Sequence, residues 1–178
     1  MEEQTVQEMT QYLTFTISNE SYALNVSNVK EVQEFTSLTK VPRMPDFMRG
    51  IINLRGSVVP VIDLKMKFGM GSTEKDIDTS IIVTEVTMEG ETVTMGLLTD
   101  SVKEVIELND SEIEPTPYIG TKIDTAFIKG MGKKDDNFLI VLDIDKVLTI
   151  SEISMVSTQE KAEPQEKAEP QEKAEPQE

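Results

Sequence analysis

Apolar and polar residues alternate with a period of two along most of the chain from Gln11 to Thr149, and that pattern commits it to strands. Leu13, Phe15 and Ile17 alternate with Thr14 and Thr16, Asn19 and Glu20 reverse the chain, and Tyr22, Leu24 and Val26 alternate again, which predicts a hairpin. Residues 57–62 and 80–86 are denser β-branched runs that suit strands buried on both faces. A second hairpin turns at residues 88–91 and returns over 92–98, and a third joins 126–131 to 138–142 through the polar turn 133–137. Many short strands with frequent Gly and Pro argue for small closed barrels or a sandwich. Helix candidates are short: residues 27–32, 63–68, 144–148 and 151–156. Residues 69–78, opening with Gly-Met-Gly-Ser, read as a mobile loop. That loop separates the strands into two groups, which predicts an all-β fold of two lobes.

Composition then removes whole classes of function. With no Cys and no His, the chain offers no thiolate nucleophile, imidazole base, Cys/His zinc site or disulfide framework. Its net charge of −16 repels phosphate backbones and anionic lipid, so protein partners are expected, with no nucleic acid and no membrane insertion. The acidic N-terminus lacks the basic and apolar regions of a secretory signal, and no run of about 18 apolar residues occurs, so a cytoplasmic location is expected. From residue 159 onward Gln-Glu-Lys-Ala-Glu-Pro repeats three times before a final Gln-Glu. Proline every sixth residue and the lack of apolar content predict a disordered acidic tail. The expected organisation is a flexible N-terminus over residues 1–10, the two-lobed β domain over 11–157 and the tail over 158–178.

The search for reactive constellations is negative. Gly69-Met-Gly71 lacks the third glycine of a dinucleotide turn, and no Gly-Lys-Ser/Thr stands at P-loop spacing. Asp143, Asp145 and the Asp135-Asp136-Asn137 run lack the glycine and downstream Glu of a calcium loop, so turns and helix caps are their expected roles. No cofactor, metal or catalytic residue is predicted. Arg55 stands out instead: it lies between an apolar approach and an apolar strand, and Gly56 beside it permits a tight backbone turn. A planar fork held on such a turn can face a partner or clamp an internal carboxylate, with Glu34 a candidate for the latter.

The block Gly50-Ile-Ile-Asn-Leu-Arg-Gly-Ser-Val-Val-Pro-Val-Ile-Asp-Leu64 resembles the central motif of the CheW family of chemotaxis adaptors. Other stretches are similar in the same order: Tyr12-Leu-Thr-Phe-Thr-Ile17 with Glu20-Ser-Tyr-Ala-Leu24, then Val29-Lys-Glu-Val-Gln-Glu-Phe35. Further on come Val41-Pro-Arg-Met-Pro45, Leu97-Leu-Thr-Asp-Ser-Val-Lys-Glu-Val105 and Ile113-Glu-Pro-Thr-Pro117. The likeness spans about residues 10–150; the tail has no counterpart in it.

The resemblance implies two SH3-like five-stranded β-barrels packed together and no catalytic activity. It also implies a role bridging the cytoplasmic tip of a chemoreceptor to the regulatory domain of the histidine kinase CheA, in membrane-associated arrays. Carried over residue by residue, Val32, Arg55, Val102 and Val105 match receptor-docking positions in an inter-barrel groove. Glu34 and Gly50 match positions tied to the kinase. Glu114 and Ile119 fall at a second, ring-closing kinase contact, where the family often carries a basic residue and an aromatic. The competing expectation is a small β-barrel module that binds a peptide or metabolite outside chemotaxis.

Overall fold

The structure, a computed structural model, describes residues 8–116, 125–149 and 151–152. The expected tail, most of the N-terminal segment, Ile119 and the greater part of the helix candidate at 151–156 lie outside these residues.

Ten strands follow the sequence alternation: β1 (Met9–Ile17), β2 (Glu20–Asn25), β3 (Val29–Glu34), β4 (Met48–Leu54), β5 (Ser57–Asp63), β6 (Ser80–Met88), β7 (Glu91–Thr99), β8 (Ser101–Asn109), β9 (Ile128–Lys134) and β10 (Asn137–Leu142). A short helix, α1 (Leu64–Lys67), leaves β5, with Asp63 as its N-cap. The helix expected at 27–32 is instead one 3-10 turn, Val26–Asn28, capped by the Asn25 side chain, followed directly by β3. From Val29 onward the alternation outweighs helix formation, because the segment pairs with β6 as an edge strand.

The strands form two five-stranded sheets, ordered β8-β1-β2-β10-β9 and β3-β6-β7-β5-β4. Each has the same plan: an edge strand beside an antiparallel hairpin, then a parallel pairing to a second hairpin. Each also curls towards closure, because the chain leaving its first edge strand bridges to the opposite edge, Thr39 to Ile51 in one lobe and Glu114 to Met131 in the other. Two SH3-like lobes therefore pack together, as expected. The boundary between them is not the loop at 69–78, which lies inside one lobe. The central lobe is the contiguous run β3 to β7, whereas the terminal lobe joins the N-terminal hairpin to β8–β10. Strand pairing, not position along the chain, assigns each strand to its lobe.

Three apolar clusters explain why several strands are buried on both faces. Tyr12, Ala23, Ile106, Leu108, Leu139 and Val141 fill the terminal lobe. Val61, Ile81, Val83 and Leu98 fill the central one. The largest cluster is shared: Leu13, Phe15, Ile17, Tyr22 and Leu24 from one lobe meet Ile62, Ile82, Met95 and Leu97 from the other. Alternate residues of one strand thus serve different cores, Ile81 and Val83 the interior of their own lobe and Ile82 the seam. A train of rings, Phe15, Tyr22, Phe68 and Phe127, runs through the seam with centroids 5.8, 5.9 and 6.0 Å apart. Burial and the neighbouring Glu20 carboxylate, which accepts from the Tyr22 hydroxyl at 3.1 Å, push the Tyr22 pKa far up. At every ordinary pH the ring stays neutral.

Candidate functional site

The β4–β5 hairpin closes in two residues, Arg55 and Gly56, with φ of 50° and 88°. Two positive φ values in a two-residue loop make a type I′ turn, whose twist matches that of the flanking strands. Asn53 Oδ1 accepts from the Gly56 amide at 2.9 Å and fixes the turn from within. Arg55 is thereby held in the left-handed region, which costs a residue with a Cβ about 1 kcal/mol. Its side chain is 80% exposed, as the sequence predicts for a tight surface turn, and Nη2 lies 3.0 Å from Glu31 Oε2 on β3. The internal partner is thus Glu31, not the Glu34 considered from sequence. Strand alternation turns Glu31 and Glu34 to opposite faces of β3, so only one of them can meet the hairpin. Glu31 also accepts from Gln33 Nε2 at 2.6 Å. So exposed a pair contributes at most about 1 kcal/mol, so most of the guanidinium's hydrogen-bonding capacity faces solvent.

The three valines lie along the seam. Val32 stands opposite Ile82, Val102 opposite Phe15 and Val105 opposite Leu13, and all three partners belong to the shared core. Val102 packs against that core, whereas Val32 and Val105 remain 43% and 52% exposed. Two apolar side chains from different lobes are therefore left uncovered beside one continuous core. Glu34 is exposed on the same face of β3 as Val32 and forms no ion pair among the described residues.

Gly50 and Gly130 occupy equivalent places in the two lobes, each against the segment that closes its lobe, Thr39 in one and Glu114 in the other. Gly50 is buried at φ 152°, where an added Cβ would stand 2.5 Å from the Thr39 carbonyl oxygen. Gly130 does the same in the terminal lobe, where the added carbon would stand 2.8 Å from the Glu114 carbonyl oxygen. Glu114 exchanges backbone hydrogen bonds of 2.9 and 2.8 Å with Met131, and its side chain is exposed.

Two polar centres next to this surface were not read from the sequence. The fully buried Asp63 carboxylate accepts from Arg49 Nη1 at 2.9 Å, the Thr73 amide at 2.8 Å, the Thr73 hydroxyl at 2.7 Å and the Lys65 amide at 3.1 Å. It ties β4, α1 and the 69–78 loop together, so that loop is irregular as expected but pinned at Thr73. The other centre is Lys67, which lies 4.4 Å from the centroid of Phe47 and 5.6 Å from that of Phe127. It donates to Glu152 Oε1 at 2.6 Å. An Asp before a helix start is visible as a cap, but nothing in the spacing marks Arg49, Thr73 or Glu152 as partners.

Burial pushes the Glu152 carboxyl up, but Lys67 and Thr149 more than offset it and hold the pKa below the usual 4.5. A carboxylate depressed in the folded state contributes stability above its unfolded pKa and loses it as pH falls through the folded one. Glu152→Gln is expected to cost about 2 kcal/mol at neutral pH. In urea titrations at stepped pH, the gap between wild type and variant should narrow as the pH is taken below the usual 4.5. A gap that persists there would assign the loss to packing, not charge.

Among the described residues no group of three or more carboxylates is placed to hold a metal ion, and no helix is long and apolar enough to cross a membrane. The structure offers a rigidly presented cation on the β4–β5 turn, paired with a Glu31 that lies on the opposite face of β3 from Val32, and two uncovered valines along the seam between the lobes.

Comparison with known proteins gives a consistent result. The family model described as "CheW-like domain" matches residues 11–152. The chemotaxis protein CheW of Klebsiella aerogenes is 34% identical over 142 residues, covering 80% of this chain and 83% of that protein. That of Bacillus subtilis is 30% identical over 136 residues, covering 76% and 85%. Among solved structures, the scaffolding protein TtCheW of Thermoanaerobacter tengcongensis superposes with a TM-score of 0.72 at 39% identity, covering 82% of this chain and 96% of that one.

Proposed function

The chain belongs to the CheW family, and from that premise we propose that it is a non-enzymatic chemotaxis adaptor coupling chemoreceptors to the histidine kinase CheA. The observation that supports this reading is the Arg55 hairpin: a strained two-residue turn holds an 80% exposed guanidinium beside a single surface carboxylate. Internal stability gains little from that arrangement, whereas arginine on a preorganised turn is well suited to a binding hot spot. On this reading a receptor helix lays its apolar face along the seam at Val32, Val102 and Val105, a helix-in-groove mode of recognition, with Arg55 as a further receptor contact. Glu34, Gly50, Glu114 and Ile119 form the kinase side. Signalling is non-covalent: contacts that differ between receptor states shift the balance of active and inactive kinase. The protein reaches membrane-associated arrays through these partners.

Arg55→Ala tests the proposal. Its unfolding free energy should change by less than about 1 kcal/mol. Affinity for a receptor cytoplasmic fragment from the same cell, measured by calorimetry, should fall at least about tenfold. Unchanged affinity, or global unfolding of the variant, would reject the role given to this side chain. Wild-type protein that binds neither the receptor fragment nor the CheA regulatory domain at tens of micromolar would reject the adaptor reading itself.

A further inference from the structure

The outer face of the terminal lobe carries a second surface of different chemistry. Pro115, Met131 and Phe138 line the apolar half of a groove of about 290 Å³ over β9 and β10. Phe138 is 64% exposed, the only exposed aromatic side chain among the described residues. Glu112 and Glu114 border the same groove, which runs on past them to Asp135 and Asp136. Four carboxylates and one cation, Lys133, thus line the groove and its continuation, with Lys133 3.6 Å from Asp136.

The fold does not require this combination. Met131 corresponds to Ile51 through the two closing bridges, Phe138 to Val58 and Lys133 to Asn53 through the hairpin registers, and Glu114 to Thr39. The central lobe therefore builds the same corner from Thr39, Ile51, Asn53 and Val58, with no carboxylate and no aromatic ring. The Glu114 backbone is also fixed, since Gly130 lets it approach closely enough for both hydrogen bonds to Met131. A rigid apolar slot with a one-sided acidic rim selects an apolar side chain flanked by cations.

We propose that this groove is a docking surface for a protein segment that presents an apolar side chain beside Lys or Arg. That such a segment belongs to the kinase regulatory domain rests on the adaptor reading; the preference for a basic partner does not. The charge at Glu114 then determines which partners this chain accepts at its second contact.

The test uses the full chain and two synthetic probes, acetyl-Arg-Leu-Arg-amide and acetyl-Glu-Leu-Glu-amide, followed by amide chemical shifts. The basic peptide should give saturable shifts at Glu114, Met131, Lys133 and Phe138, with a Kd of about 1 mM that weakens several-fold between about 20 and about 200 mM NaCl. The acidic peptide should give none. Phe138→Ser should abolish saturation, and Glu114→Lys should weaken the basic peptide at least about threefold. Both side chains are exposed, so neither change threatens the fold. Shifts spread evenly over the acidic surface, equal response to both peptides, or no saturable response because another part of this chain covers the groove would each overturn the proposal. Receptor binding can survive any of these outcomes, which separates failure here from failure of the adaptor reading.

Discussion

Asp63→Ala is expected to lower the unfolding free energy by about 3–5 kcal/mol, a large share of the total for a domain of this size. The carboxylate is fully buried and accepts hydrogen bonds from three segments of chain. Removing it strands the Arg49 guanidinium beside Thr73 and leaves the Thr73 amide and hydroxyl without their acceptor. Each such orphaned group costs about 1–3 kcal/mol, and the N-cap of α1 is lost as well. Asp63→Asn keeps one acceptor oxygen and nearly the same shape, so it should cost roughly half as much. Urea unfolding of the two variants gives the comparison. If both lie within about 0.5 kcal/mol of wild type, the network is incidental to stability.

Gly50→Val should be comparably damaging, for a steric reason. The new Cβ would stand 2.5 Å from the Thr39 carbonyl oxygen, at a φ that residues with side chains avoid. Thr39 cannot retreat without breaking its hydrogen bonds of 3.0 and 2.8 Å with Ile51, which close the central lobe. The expected loss is about 3 kcal/mol or more. The same variant examines the kinase role assigned to this position. Binding lost in step with stability means that Gly50 acts by holding the lobe closed. A stable, folded variant that no longer binds the CheA regulatory domain would place Gly50 in the contact itself.

The sequence carried the strands far better than it carried their grouping. Alternation along residues 12–26 and 80–98 reports which residues are buried, and those hairpins formed as read. It does not report which core a residue enters. Tyr12 and Leu13 are both apolar and adjacent, yet one fills its own lobe and the other the seam. The division into lobes was misplaced for that reason, since the pairing of β2 with β10 spans more than a hundred residues and leaves no local trace. The site shows the same limit. Arg55 beside Gly56 was legible because a two-residue turn is local chemistry, whereas its carboxylate partner was misjudged because Glu31 and Glu34 differ only in which face of an edge strand they take. Phe138 was read as part of a strand, and nothing local distinguished its exposed position from the buried one of Leu139 beside it.

The terminal lobe draws its strands from both ends of the chain, and this orders events during synthesis. A ribosome releases β3 to β7 as one uninterrupted unit, so the central lobe has all its strands long before the last third of the polypeptide emerges. The N-terminal hairpin is made before either of its neighbours, β8, which follows β7 directly, and β10, the last of the described strands. Until they appear its apolar inner face has only the newly closed central lobe to rest against. The seam that joins the finished lobes is thereby also the first apolar surface the early hairpin can meet, through Ile82, Met95 and Leu97.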